Sequence, residues 1–310
     1  MDDASAPPPV ASPVPRKPLT DHVKGLPPIA FGLLSLGFLF ISYQIVGGIA
    51  ALLVVGLRPG PEDATAFRLA TMFGQILFLL LPTLFLAKIR YGTYQVVRIQ
   101  LPDWKILLAT IVAVIALQQV LQAYMVLQDA IPMPDQVRRI VQELQDMMQG
   151  MYFLLIASNT PWEFMLVLLV AAITPAVCEE VLFRGLVQRS FEESIGGWQA
   201  AVLAGVIFGL FHLNPFSLVA VSALGIFFGL LVYRTRNLSL SIIAHVVNNA
   251  LACATLYFFS SDDLYLGQFL GGSGTSFLWM NSLVFGVVFL SASSYFIYAT
   301  KKPTADSEVQ

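Results

Sequence analysis

The sequence predicts an all-α protein, a polytopic transmembrane helical bundle of about eight spans, and three observations carry that prediction. Of its 310 residues, 57% are apolar and only 12% are Asp, Glu, Lys or Arg, about half the usual charged share. A soluble fold with 17 basic and 19 acidic residues could not coat its own surface. Long charge-free stretches recur at the length of about 20 residues that a membrane helix needs, and the basic residues gather in alternate connections. The formal net charge of −2 supplies no phosphate-neutralising face, which excludes nucleic acid as a partner. Cys178 and Cys253 both lie in apolar runs and read as buried reduced thiols, which excludes a disulfide scaffold.

Each element follows in order. Residues 1–27 hold seven prolines and little that is large and apolar, so they read as a disordered cytoplasmic tail. Residues 25–57, 69–87 and 106–128 give three spans, within an N-terminal membrane region of 28–160. Between the third and fourth, Val137, Ile140, Val141, Leu144, Met147 and Met148 share one face of a 3.6-residue period, which predicts an amphipathic interfacial helix over 137–149. The fourth span starts near Glu163 and runs into charges at Glu179. The forty residues 194–233 lack Lys, Arg, Asp and Glu, and Asn214-Pro215 in their middle is a helix stop and restart, giving spans five and six. Residues 237–261 form the seventh span. The eighth, 276–300, follows the Gly271–Gly274 loop within a terminal region of 261–300, and 301–310 is a short tail.

Eight spans put both termini on one side. With the N-terminus inside, thirteen Lys and Arg fall at the cytoplasmic face and only Arg58, Arg68, Arg138 and Arg139 fall outside. That bias points to a multi-pass protein of the cell membrane, suited to a bacterial inner membrane, with N- and C-termini cytoplasmic and the lipid bilayer as its first partner.

Ionisable groups inside an apolar bundle cost roughly 2.5 to 3.5 kcal/mol each, so each needs a reason. Glu180 and Arg184 stand at i and i+4 and can pair, while Glu179 is turned about 100° away. Taken alone, this cluster could simply mark a helix end with its side chains reaching the headgroups. His212 and His245, two of the three histidines, lie in separate charge-free spans. His245 and Asn249 again stand at i and i+4, presenting an imidazole and an amide on one face.

Glu179-Glu180-xxx-Arg184, then Phe208-xxx-His212, then His245-xxx-Asn249 resembles the signature of the CPBP family, the CAAX proteases and bacteriocin-processing enzymes, also called the ABI family. The resemblance covers about residues 161–260, in the family's order and on successive apolar segments. It implies a polytopic intramembrane endopeptidase, similar to the type II CAAX prenyl endopeptidases. By position it implies that Glu179 and His212 activate the attacking water and that His245 and Asn249 stabilise the oxyanion. Glu180 and Arg184 complete the first motif. The implied partner is a membrane-anchored protein or peptide substrate.

The residues by themselves agree with water attack. Peptide hydrolysis needs a base for water, a donor to the oxyanion and a proton for the leaving amine. Cys178 beside two carboxylates is a poor thiolate. No cofactor is expected, with zinc on Glu179, His212 and His245 as the alternative, although a compact His-Glu-x-x-His helix is absent. Counting about 1.5 Å per residue, His245 lies roughly 12 Å beyond Asn237, Glu179 roughly 16 Å before Ser190 and His212 roughly 21 Å from Trp198. Those depths differ by several Å, and the expected opening is toward the cytoplasm. Two other functions fit part of the pattern: a catalytically inactive membrane binding or immunity protein, and an ion-coupled transporter, which calls for discontinuous helices.

Overall fold

A computed structural model describes residues 19–57, 59–259 and 275–300, and these form helices and connecting turns. In chain order the helices are α1 (Leu19–Gly25), α2 (Pro28–Val55), α3 (Pro61–Arg90), α4 (Thr93–Val96), α5 (Trp104–Asp129), α6 (Asp135–Ile156), α7 (Pro161–Ile195), α8 (Gly197–Phe211), α9 (Leu218–Thr235), α10 (Leu238–Phe258) and α11 (Thr275–Ala299). Seven of them are long and apolar enough to cross a membrane, and the protein is a multi-pass membrane protein. The remaining expected span, the fifth, is α8, which has only 15 residues and covers about 22 Å.

Local sequence sets the helix ends. Asp103 caps α5 by accepting from the Lys105 and Ile106 amides at 2.8 and 3.3 Å. Thr160 accepts from the Glu163 amide at 3.2 Å, and the Glu163 carboxylate accepts from the Asn159 amide at 2.8 Å. The α7–α8 junction is a glycine: Gly196 has φ of 91°, a left-handed conformation that costs an L side chain energy. Asn214 turns α8 back into α9, its side-chain oxygen accepting from the Phe216 and Ser217 amides.

Two expectations change. Residues 1–18 of the tail lie outside the described residues, as does the Gly271–Gly274 loop. Leu19–Gly25, read as part of that tail, is helical, and Arg90 at the end of α3 ties it down by donating to the Val23 and Lys24 carbonyls. The fourth span does not end at the charged cluster. It continues as α7 to Ile195, a 35-residue helix whose apolar stretch is 67% buried, against 17% for α2 and 6% for α11. That contrast makes α7 the axis of the bundle, with α2 and α11 facing lipid.

Within the α8–α9 hairpin the two helices pack on each other through bare backbone. A Cβ on Gly205 would lie 2.4 Å from the Ile226 nitrogen, and one on Gly225 2.7 Å from the Gly205 carbonyl oxygen. Only glycine permits that approach, a known route to close helix pairing in membranes. Amphipathic α6 contains the expected 137–149 segment and leaves Ile140 and Met147 68% and 61% exposed. Its C-terminal carbonyls, on Leu155 and Ala157, accept from Arg68 of α3.

Candidate active site

The two carboxylates sit in the Thr174–Glu180 segment of α7, between π-helical turns at Leu168–Ile173 and Val181–Gln188. Such turns recur at functional sites because they rotate the side chains that follow. Glu180 and Arg184 are both fully buried and paired at 2.7 Å. The Arg184 Nη2 donates to the Gly225 carbonyl at 2.9 Å, and its guanidinium lies 4.5 Å from the Phe208 ring centroid. A helix-end role reaching the headgroups is therefore excluded: these charges are buried and paired inside the bundle.

His212 is the C-cap of α8, at the tip of the glycine-packed hairpin. Its Nδ1 lies 2.8 Å from the Phe208 carbonyl oxygen. A carbonyl can only accept, so Nδ1 carries a proton and Nε2 is the ring nitrogen turned outward. That Nε2 is 3.7 Å from Oε2 of Glu179. His245, buried on α10, donates from Nδ1 to Oε1 of Glu180 at 3.0 Å, and its Nε2 is 4.0 Å from the same Glu179 Oε2. Its ring stacks on Phe228 at 5.2 Å. The Glu179 oxygen that both imidazoles face is buried and has no hydrogen-bond partner among the described residues.

The depth mismatch read along the sequence disappears for a structural reason. Glu179 lies about 24 Å from the true end of α7 at Ile195, and His212 about 22 Å from the start of α8 at Gly197, counted at 1.5 Å per residue. α10 starts recessed into the bundle: Asn237 is 5% exposed and exchanges hydrogen bonds with the Gln100 backbone, while the Leu238 amide donates to the Arg98 carbonyl. Toward the Ile195 end of α7, Arg184, Leu186, Gln188 and Phe191 are fully buried, whereas the His212 side chain is 33% exposed at the α8–α9 turn.

Five predicted residues thus come together, from three helices: Glu179, Glu180, Arg184, His212 and His245. Asn249 is held differently. Its amide donates to the Ala171 carbonyl at 3.2 Å, in the π turn before the carboxylates, and its oxygen accepts from Asn248. Reading the sequence for ionisable groups missed Gln75 of α3, 5% exposed, whose Nε2 lies 3.5 Å from Oε1 of Glu179. A neutral amide inside an apolar span was the available signal. Cys178 and Cys253 are buried and unpaired.

Among the described residues no group of three or more His, Cys, Asp or Glu is arranged to hold a metal ion. Glu179, His212 and His245 do present one oxygen and two imidazole nitrogens toward each other, but at 3.7 and 4.0 Å from that oxygen. No chemical step below is routed through a metal.

Residues 161–251 match the family described as Rce1-like, type II CAAX prenyl endopeptidase. That segment is similar to a CPBP-family core. Over 84 residues it is 30% identical to the protein named "Putative membrane peptidase YdiL" of Bacillus subtilis (strain 168), a match covering 27% of this chain and 34% of that one. The chain thus matches about a third of the length of that relative. No solved structure matches. The matched segment contains all six residues predicted for the site, whereas Gln75 comes from outside it.

Proposed function

We propose that the protein is an intramembrane endopeptidase in which Glu179, supported by His212, activates water against a peptide bond of a membrane-anchored substrate. The observation that carries this reading is the convergence of both Nε2 atoms on the unpartnered Glu179 Oε2. A water held between Glu179 and His212 gives its proton to the carboxylate as its oxygen bonds to the carbonyl carbon. In the form protonated at both ring nitrogens, His245 keeps its Nδ1–H on Glu180 and donates its Nε2–H to the oxyanion. When the C–N bond breaks, the proton on Glu179 passes to the leaving amine, and the products are a carboxylic acid and an amine. Arg184 neutralises Glu180 and so keeps it from competing as a base. Asn249 acts first by holding α10 against α7, since an oxyanion role requires its amide to leave Ala171.

An apolar cavity of about 460 Å³ supports a substrate with a membrane-embedded part, as a CAAX-type lipidated terminus would have. It is lined by Gln44, Gly48, Leu52, Phe67 and Met151, and Gln44 donates to the Phe211 carbonyl at 2.8 Å, next to His212. An ion-coupled transporter is less well supported, because α7 carries the carboxylates through the membrane without a break. The positive-inside count supports cytoplasmic termini. A membrane-impermeant thiol reagent should then label Cys at position 193 only from inside and Cys at position 62 only from outside, and the opposite pattern would reverse the orientation.

The test is comparative membrane proteomics of cells carrying the native chain or Glu179→Gln. A peptide that persists uncleaved only with the variant identifies both activity and substrate. Identical peptide profiles would overturn the peptidase reading in favour of a binding protein.

A further inference from the structure

The region before the CPBP core carries none of its motifs, yet it touches the reacting carboxylate. Gln75 is buried in α3, directly before the π-helical turn at Ile76–Leu80, a place where winding changes to re-aim a side chain. Burying an amide in an apolar bundle is unfavourable unless its groups are used. One is used: Nε2 faces Oε1 of Glu179 at 3.5 Å, long for a hydrogen bond but in the range that tightens when a substrate closes a site. The amide oxygen has no partner among the described residues. The reverse amide orientation would set oxygen against carboxylate, so chemistry assigns the nitrogen to Glu179. Tyr43 of α2, stacked on Phe211 with centroids 6.5 Å apart, stands beside Gln75 and Glu179.

We propose that Gln75 is a positioning residue for Glu179: its amide holds Oε1, leaving Oε2 as the oxygen that faces His212, His245 and the water. The role rests on the peptidase reading, but the contact does not. Without the donor, the carboxylate can rotate about its terminal torsion, which is broad and two-fold, and its basic oxygen loses its aim. The groups around Glu179 are then Tyr43 from α2, Glu180 and Arg184 from its own helix, His212 from α8 and His245 from α10. None of them reaches Oε1 in the arrangement described, so Gln75 is the residue that distinguishes the two oxygens.

The experiment uses the purified full chain with Gln75→Met, of similar length but without a donor, and Gln75→Glu. On the membrane peptide that accumulates with Glu179→Gln, kcat should fall about 10- to 100-fold in Gln75→Met with KM within about twofold, and further in Gln75→Glu. A thermal cycle of Gln75→Met, Glu179→Leu and the double variant reads the contact without activity. The single shifts in unfolding midpoint should fail to add by roughly 2 °C or more. Unchanged kcat, a change confined to KM, or additive midpoints would each overturn the proposal. If the native chain cleaves nothing, the peptidase reading fails, while the thermal cycle still decides whether Gln75 holds Glu179.

Discussion

His245 and Glu180 are 65 residues apart in the chain and 3.0 Å apart in space, joined by an Nδ1–H to carboxylate bond inside the membrane-spanning bundle. The same Glu180 oxygen accepts from Arg184 at 2.7 Å. One carboxylate therefore anchors an imidazole and a guanidinium, and it is the neighbouring Glu179 whose unpartnered oxygen faces the Nε2 atoms of both histidines. Two adjacent acids with opposite tasks follow from which helix face each one occupies.

Glu179→Gln, His212→Ala and His245→Ala should each reduce proteolysis by at least about 100-fold while the protein still inserts. Combining any two should cost little more than one alone, because the three act on one water and one carbonyl. Turnover by purified single and double variants checks this. Native turnover in Glu179→Gln would sink the mechanism.

Arg184→Ala should lower accumulation and activity together. Glu180 and Arg184 are both fully buried, and removing one partner of a buried pair leaves an uncompensated charge at a cost of about 3 to 5 kcal/mol. Detergent-solubilised yield and melting midpoint read the loss. A stable, active Arg184→Ala protein would show that the pair is dispensable for folding.

Two glycines should respond in opposite ways. A Cβ at Gly48 meets nothing within 4 Å and would project at the wall of the apolar cavity, so Gly48→Phe should leave the melting midpoint intact and raise KM. A Cβ at Gly225 would strike the Gly205 carbonyl oxygen at 2.7 Å, so Gly225→Ala should destabilise the hairpin by about 1 to 3 kcal/mol and move His212 away from Glu179. Native KM in a stable Gly48→Phe protein would remove the cavity from substrate binding.

Treatment with 1,10-phenanthroline followed by dialysis should leave activity largely intact, and metal analysis should find well under one equivalent of zinc. Stoichiometric zinc whose removal abolishes turnover and whose return restores it would make Glu179, His212 and His245 ligands instead.

By itself the sequence determined what is local. Charge-free stretches and the Asn214-Pro215 break marked the helices, because the length of apolar chain needed to cross lipid is set by rise per residue. The i, i+4 spacing of Glu180 and Arg184 announced their pairing and set Glu179 on another face, since side-chain direction repeats every 3.6 residues. Isolated histidines in apolar spans marked candidate sites because burying them is costly.

Tertiary structure decided everything that depends on register between helices. Periodicity along α7 could not reveal that its charges lie mid-helix, that α10 starts recessed behind the Gln100 loop, or that α8 stops after 15 residues at the site's own depth. Those facts bring His212 and His245 to one Glu179 oxygen. Nor could spacing from His245 show that Asn249 reaches the Ala171 carbonyl, or that a neutral Gln75 in α3 faces the carboxylate. The physical reason is common to all of them: contacts between helices are set by how close their backbones approach and how π turns rotate them, and neither quantity is written in the spacing of residues along a single helix.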